Sequence, residues 1–155
     1  MEQVSGIGLT TIGHVESPVK EQTDERWGAV VARIVLQPEY RDGLRGMAPF
    51  SHALIVTYLH QARFDPSRHL IRRPRGLESM PEIGIFAQRA KDRPNPIGVT
   101  AVSIVRVESD TLVVRGLDAI DGTPVLDIKP YYPAYDRVMN AVVPEWVDRL
   151  MKDYL

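Results

Sequence analysis

Two stretches of this sequence carry side chains at spacings that could do chemistry. The first is Arg89-Ala90-Lys91-Asp92-Arg93-Pro94-Asn95-Pro96-Ile97-Gly98. Pro94 and Pro96 each fix φ and push the preceding residue into an extended conformation. Asn95 is therefore held rigidly, and two missing N–H groups leave nearby carbonyl oxygens free to face a ligand. The same stretch also works as a stiff connector into the next strand. The second is Leu117-Asp118-Ala119-Ile120-Asp121-Gly122-Thr123-Pro124-Val125-Leu126-Asp127-Ile128-Lys129-Pro130-Tyr131. Alternate residues of an extended chain share a face. Asp127, Lys129 and Tyr131 then point one way, and Leu126 and Ile128 the other. A carboxylate, an ammonium and a phenol on one face either line a pocket or form a surface ion pair of little energetic weight. Asp118 and Asp121 add carboxylates nearby. The Asp121-Gly122-Thr123-Pro124 turn could also offer backbone groups to a cofactor.

Charge is concentrated as well. Residues 63–93 hold eight basic side chains (Arg63, Arg68, Arg72, Arg73, Arg75, Arg89, Lys91, Arg93) and four acidic ones, whereas residues 1–30 hold two basic and five acidic. The bases are mostly Arg, whose planar fork suits phosphate and carboxylate. This is either an anion-binding surface or a solvated loop. His60, followed by Gln61, ends an apolar strand. No pair of His stands at metal-ligand spacing with a carboxylate, so no metal site is expected. There is no cysteine, which excludes a thiolate nucleophile, a disulfide framework and a Cys-ligated metal. No G-x-S-x-G, H-E-x-x-H or P-loop occurs, and no G-x-G-x-x-G follows a strand, so a Rossmann dinucleotide site is not supported.

The elements that must position these residues are mostly strands. Gly28–Gln37 and His52–Leu59 are β-branched and apolar on both faces, as in buried strands. Pro38–Leu44 predicts a short helix, with Pro38 in its first turn. Residues 64–80 contain four Arg with little periodicity and predict a long loop, which in a compact domain is usually functional or disordered. Ile83–Gln88 predicts a short strand. Val99, Ala101, Ser103, Val105 and Val107 share one face of a strand that turns at Glu108-Ser109-Asp110 into Thr111–Leu117, a hairpin. Val125–Lys129 is a further short strand. Pro144–Leu155 predicts a helix with Trp146, Leu150 and Tyr154 as its buried stripe. Six or seven strands with short helical pieces predict a mainly β chain: a mostly antiparallel barrel with peripheral helices and a C-terminal helix.

The chain has 155 residues, 44% of them apolar and 25% charged, with net charge −1. These values fit one globular domain spanning 1–155. No apolar run reaches the length of a membrane span. The Met1–Gly6 segment lacks the basic head of a signal peptide, so the expected compartment is the cytoplasm.

Several segments occur together in one order: Ile12-Gly13-His14-Val15-Glu16-Ser17-Pro18-Val19-Lys20, Phe50-Ser51-His52, His60-Gln61, Gly84–Arg89, Arg93–Gly98 and Leu117–Tyr131. Over residues 9–136 the chain resembles the TsaA-like domain, the tRNA methyltransferase O family. The resemblance implies an S-adenosylmethionine-dependent methyltransferase built on a β-barrel. It also implies a homodimer with its cofactor pocket near the subunit interface. Characterised tRNA enzymes of the family methylate N6 of threonylcarbamoyl-adenosine next to the anticodon. By motif, the cofactor residues would be His60, Gln61, Arg89, Val99 and Asp121, Gly122, Thr123 and Pro124, with Asn95 added from the rigid Pro-Asn-Pro run. Where tRNA-modifying members have Pro-Arg-Gln, this chain has Asp24-Glu25-Arg26-Trp27, and it has Ala87-Gln88-Arg89 in place of Ala-Thr-Arg.

A methyl sulfonium attached to an amino acid and an adenosine needs oxygen or aromatic faces, a base-edge reader and a carboxylate clamp. Carbonyls around Asn95–Pro96, the Asp121 turn and Arg89 could supply these. If the acceptor is a weakly acidic urea-like N–H, a base helps, and Asp127 or Tyr131, flanked by Lys129, is the candidate. Arg68, Arg72, Arg73 and Arg93 are the candidate tRNA contacts. The alternatives are methyl transfer to a small-molecule or other acceptor, and non-catalytic binding of S-adenosylmethionine.

Overall fold

The computed structural model describes residues 6–155; the expectation on Met1–Ser5 lies outside the described residues. Six strands close an antiparallel barrel in the order β1-β2-β7-β6-β3-β8. They are β1 (Gly13–Glu16), β2 (Val31–Leu36), β3 (His52–Tyr58), β6 (Ile97–Val107), β7 (Thr111–Arg115) and β8 (Pro124–Pro130). Between β3 and β6 the chain forms a small ribbon, β4 (Ile71–Arg72) against β5 (Ile83–Gly84). The helices are short: α1 (Pro66–His69), α2 (Pro133–Asp136) and α3 (Glu145–Met151). No helix among the described residues is long and apolar enough to cross a membrane.

Closure leaves each strand one face for the interior, and the core follows from that. Val15, Ile34, Ile55, Val102, Leu112, Val114 and Val125 are sealed inside. Burying each such side chain contributes about 1.5–3 kcal/mol. The expectation of strands buried on both faces is corrected here. β2 and β3 alternate, with Ala32, Ile34 and Leu36 inward on one and Ala53, Ile55 and Thr57 inward on the other. β2 also begins only at Val31, after a turn in which the Val30 amide donates to the Trp27 carbonyl.

Two bulges break the simple alternation. In β6, Ile104 pairs with Val114 and Arg106 with Val113, so Val105 is the extra residue. Val99 and Ala101 therefore face outward while Val107 returns to the core, and the five residues expected on one face do not share it. In β8, Val125 pairs with Thr57 and Asp127 with Val56, so Leu126 is extra.

The stretch expected as a long loop is built. Asp65 caps α1 by accepting from the Ser67 amide at 3.0 Å, and Pro66 opens the helix. A 3-10 turn at Pro74–Gly76 follows β4. The expected strand over 83–88 stops after Gly84 and becomes a 3-10 turn at Ile85–Ala87. Gln88 fixes this corner: its buried Nε2 donates to the carbonyls of Arg72 (3.2 Å) and Ile83 (3.3 Å). The predicted helix at Pro38–Leu44 is a 3-10 turn with Leu44 buried. The C-terminal helix covers Glu145–Met151, shorter than expected. Trp146 and Leu150 half-bury from it, and Tyr154 does so from the turn beyond.

Candidate active site

The strand register gathers the motif segments at one end of the barrel. β3 ends, β6 begins and β8 begins there, since Tyr58 pairs with Ile97 and Thr57 with Val125. The turn carrying His60 and Gln61 is tied to the Pro94–Gly98 run by the Leu59 amide, which donates to the Pro96 carbonyl at 2.8 Å. Gly98 permits this approach. A Cβ there would lie 2.6 Å from the Thr57 hydroxyl oxygen and 3.2 Å from a Leu59 methyl. His60, Gln61 and Asn95 are exposed on this shelf. Arg89 reaches across to it, Nη2 donating to the Val99 carbonyl at 2.7 Å.

The Asp121-Gly122-Thr123-Pro124 turn lies at the same end, beside the exit of β1. Gly122 has φ +84, a conformation glycine adopts without strain. Its amide donates to the Val15 carbonyl at 2.7 Å, and the buried Thr123 hydroxyl donates to the Ile120 carbonyl at 2.7 Å. Asp121 accepts from Lys20 Nζ at 2.9 Å and from the Ser17 amide at 2.9 Å. The Lys20 hydrogen bond, then the Ser17 amide, hold its carboxyl below the usual carboxylate range. The Ser17–Lys20 and Asp121–Pro124 motifs are thus one bonded unit.

Asp127 and Lys129 point outward, as the alternation predicts, and form an ion pair of 2.8 Å between half-exposed side chains. The Asp127 hydrogen bond and charge raise the Lys129 ammonium above its ordinary value. Val56 pairs with Val99 on one side and Asp127 on the other. At about 4.8 Å between strands, Asp127 sits roughly 10 Å from Val99. Tyr131 does not join them. It lies two residues beyond Lys129 and four beyond Asp127, about 13 Å from the latter, beside His52, with ring centroids 6.3 Å apart.

The four arginines divide. Arg68 and Arg72, with His69, Ile71, Arg73, Gly76 and Glu82, line a surface hollow of about 400 Å³. Arg73 Nη1 donates to the Met80 carbonyl at 2.5 Å, and Arg93 Nη1 to the carbonyls of Gln88 (3.0 Å) and Ala90 (3.2 Å). Both brace the loops that carry them. Among the described residues, no group of three or more His, Asp or Glu is placed to hold a metal. The sequence marks Asp118 as a carboxylate of the Leu117–Tyr131 segment but assigns it no partner. Asp118 accepts hydrogen bonds from the hydroxyls of Thr100 and Tyr154, and residues so far apart make no spacing pattern.

A closed six-stranded antiparallel barrel that gathers its motif loops at one mouth defines the class, a β-barrel fold. The chain belongs to the tRNA-methyltransferase O N-terminal domain family, which it matches over residues 15–137. It is 40% identical over 134 residues to an S-adenosyl-L-methionine-binding protein of Archaeoglobus fulgidus, covering 84% of this chain and 93% of that one. It is 34% identical over 149 residues to the tRNA (adenine(37)-N6)-methyltransferase of Escherichia coli, covering 89% of this chain and 63% of that enzyme. The crystal structure of TrmO from Pseudomonas aeruginosa superposes with a TM-score of 0.71 at 32% identity, covering 88% of this chain and 61% of that one. The chain therefore spans somewhat under two thirds of the bacterial proteins.

Proposed function

We propose that this barrel is an S-adenosylmethionine-dependent methyltransferase that modifies tRNA at N6 of the threonylcarbamoyl-adenosine next to the anticodon. The observation that carries the reading is the meeting of His60-Gln61, Arg93–Gly98 and Asp121–Pro124 at one barrel mouth. Relatives named as adenine-N6 tRNA methyltransferases and as S-adenosylmethionine-binding proteins support it.

The residues present fit that cofactor. Arg89 uses one N–H on the Val99 carbonyl and keeps its remaining donors for a carboxylate. Asn95, locked between two prolines, offers an amide to a base edge. The carbonyls around it and the Asp121 turn give oxygen surface to a cation, with His60, Gln61, Val99, Gly122, Thr123 and Pro124 completing the walls. When bound, the cofactor supplies an electrophilic methyl group. The chain's part is first positional, since methyl displacement needs donor and acceptor at roughly 3–3.5 Å. Asp127, on the same rung as Val99 with Val56 between them, takes the acceptor N–H proton. Lys129 supplies its counter-charge, and Tyr131 borders the acceptor farther out. Arg68 and Arg72 contact tRNA phosphates from the hollow, on loops braced by Arg73 and Arg93.

The shelf is open within one chain, and the face beside it is apolar: Ile97, Val99 and Tyr58 are exposed, Val99 by 46%. In the 131–143 segment Tyr135 is 85% exposed and Val142 93%. Apolar surface of this extent marks an interaction site. A second copy covers it, deepening the pocket, and the working form is a homodimer of single-domain subunits in the cytoplasm. Light scattering that returned a monomer mass with activity intact would remove that part.

The test is labelled S-adenosylmethionine with tRNA that carries or lacks the threonylcarbamoyl group. Label is expected only on the modified nucleoside. Label in small-molecule extracts with none in tRNA would move the acceptor to a small molecule. Binding without transfer to either would leave a binding protein. Absence of heat and of thermal shift at millimolar cofactor would overturn the cofactor itself.

A further inference from the structure

We infer that Tyr154 is a positioning residue. Through Asp118 it holds the 117–124 turn and the first half of β6 in the geometry the shelf requires, an inference that rests on the cofactor reading above for its consequence. β6 is long on one side only. Residues 97–103 pair with β3, but β7 ends at Arg115 opposite Ser103, so residues 97–102 have no β7 partner. Along that open edge runs the 116–123 segment, and the Thr100 hydroxyl donates to the Asp118 carboxylate. Asp118 thus substitutes for a missing ladder beside Gly98 and Val99.

The other half of Asp118's support comes from the C-terminal turn, where the Tyr154 hydroxyl donates to it. That turn is itself clamped. The Arg26 amide donates to the Asp153 carbonyl and the Trp27 amide to the Tyr154 carbonyl, both at 2.8 Å. Gly28 packs so closely that a Cβ would lie 2.7 Å from the Leu155 carbonyl carbon. The Arg75 guanidinium lies over the Tyr154 ring, 5.7 Å from its centroid, and pairs with Asp24 at 3.7 Å. Arg149 on α3 donates to the Ser79 carbonyl at 3.3 Å. Burial, then the Asp118 charge, push the phenol far above its ordinary value, so it remains a donor. The Arg26 and Trp27 backbone is therefore what docks this tail. One side chain joins three parts: its ring meets the Arg-rich loop, and its hydroxyl ties the C-terminal turn to Asp118 beside the shelf.

The test is Tyr154→Phe, which keeps the ring and the Arg75 contact and removes only the hydroxyl. The exposed phenol of Tyr40, changed to Phe, is the control. Amide hydrogen exchange is read without ligand, and affinity for S-adenosylhomocysteine by calorimetry. Amides of 98–101 and 117–123 are expected to exchange about tenfold faster or more, the change that follows loss of a hydrogen bond to a charged group. Amides of β2 and β7 should not change. Affinity should fall about tenfold, and the cofactor KM should rise alike with kcat at saturation nearly kept. Adding Asp118→Asn to the Phe variant should cost less than the two single changes predict. Unchanged exchange, or acceleration spread evenly over the barrel, would overturn the proposal. Faster local exchange with unchanged affinity would overturn its link to the shelf. If the wild type binds no cofactor, the functional reading falls instead, and exchange alone decides whether Tyr154 holds the turn.

Discussion

Replacing Gly98 with Ala puts the shelf's packing to a direct measurement. The added Cβ would sit 2.6 Å from the Thr57 hydroxyl oxygen, against the 3.4 Å at which ordinary contact begins. Thr57 is 3% exposed, β-branched and confined between β6 and β8, so it has little room to turn away. Overpacking of this kind costs about 1–3 kcal/mol. Gly98 has no positive φ, so Ala also returns roughly 0.4–1 kcal/mol by stiffening the unfolded chain. The net is a loss of about 1–2 kcal/mol, which for a chain of this size lowers Tm by about 2–8 °C. Thermal unfolding followed by circular dichroism reads it. The clash has a named partner, so Thr57→Ala in the same chain should relieve it. The double variant is expected to be more stable than the sum of the singles by about 0.5 kcal/mol or more. A wild-type Tm for Gly98→Ala, or additive behaviour in the double variant, would refute the reasoning.

Three further outcomes are expected. Arg89→Ala should raise the Kd for S-adenosylhomocysteine about tenfold or more in calorimetry, with Tm nearly unchanged because the side chain is exposed. Arg68→Ala should reduce the slope of log tRNA affinity against log salt by about 0.7–0.9 in filter binding, whereas Arg73→Ala, which loses the bond to the Met80 carbonyl, should show itself chiefly as a lower Tm. Lys20 and the Ser17 amide depress the Asp121 carboxyl in the folded state below its ordinary 3.8. Its contribution to stability is then full above that value and is lost as pH falls through the folded pKa. Asp121→Asn should therefore be less stable than the wild type at pH 5 and converge with it in Tm scans toward the acid end.

The barrel was legible because β2, β3, β6 and β8 carry β-branched runs of strand length between turn signals. Their facing was not. Leu54, Val56, Val99 and Ala101 are apolar yet lie on the outside, so the pattern resembled strands buried on both faces. The bulges at Val105 and Leu126 left no trace in composition, since an extra residue shifts the register without changing residue types. The 64–80 stretch reads as loop because single side chains hold it: Asp65 at its cap, and Arg73 and Gln88 on backbone carbonyls. No periodicity records such bonds. The motifs marked the shelf because their geometry is local, two prolines around Asn95 and a tight turn at Gly122. Asp118 was visible as a carboxylate of the Leu117–Tyr131 segment but not as a link, since its partners, Thr100 and Tyr154, come from distant parts of the chain.

The seam that closes the barrel has consequences for how the chain reaches this state. β1 meets β8 through two rungs, Gly13 with Val125 and His14 with Pro124. Those partners are more than a hundred positions apart along the polypeptide, so their meeting carries a large loop-closure entropy and belongs to the slow, high-contact-order end of folding. During synthesis β1 and β2 can zip early as a hairpin, but the free edge of β1 must wait until β8 has emerged. Over that interval the edge is open to other strands. Gly13 makes the wait more exacting. A Cβ there would lie 2.3 Å from the Val35 carbonyl oxygen, so the early hairpin accepts no larger residue at the position where the last strand must dock. Nascent chains arrested before Val125 should be sensitive to protease throughout, and protection should arise in one step once β8 is available.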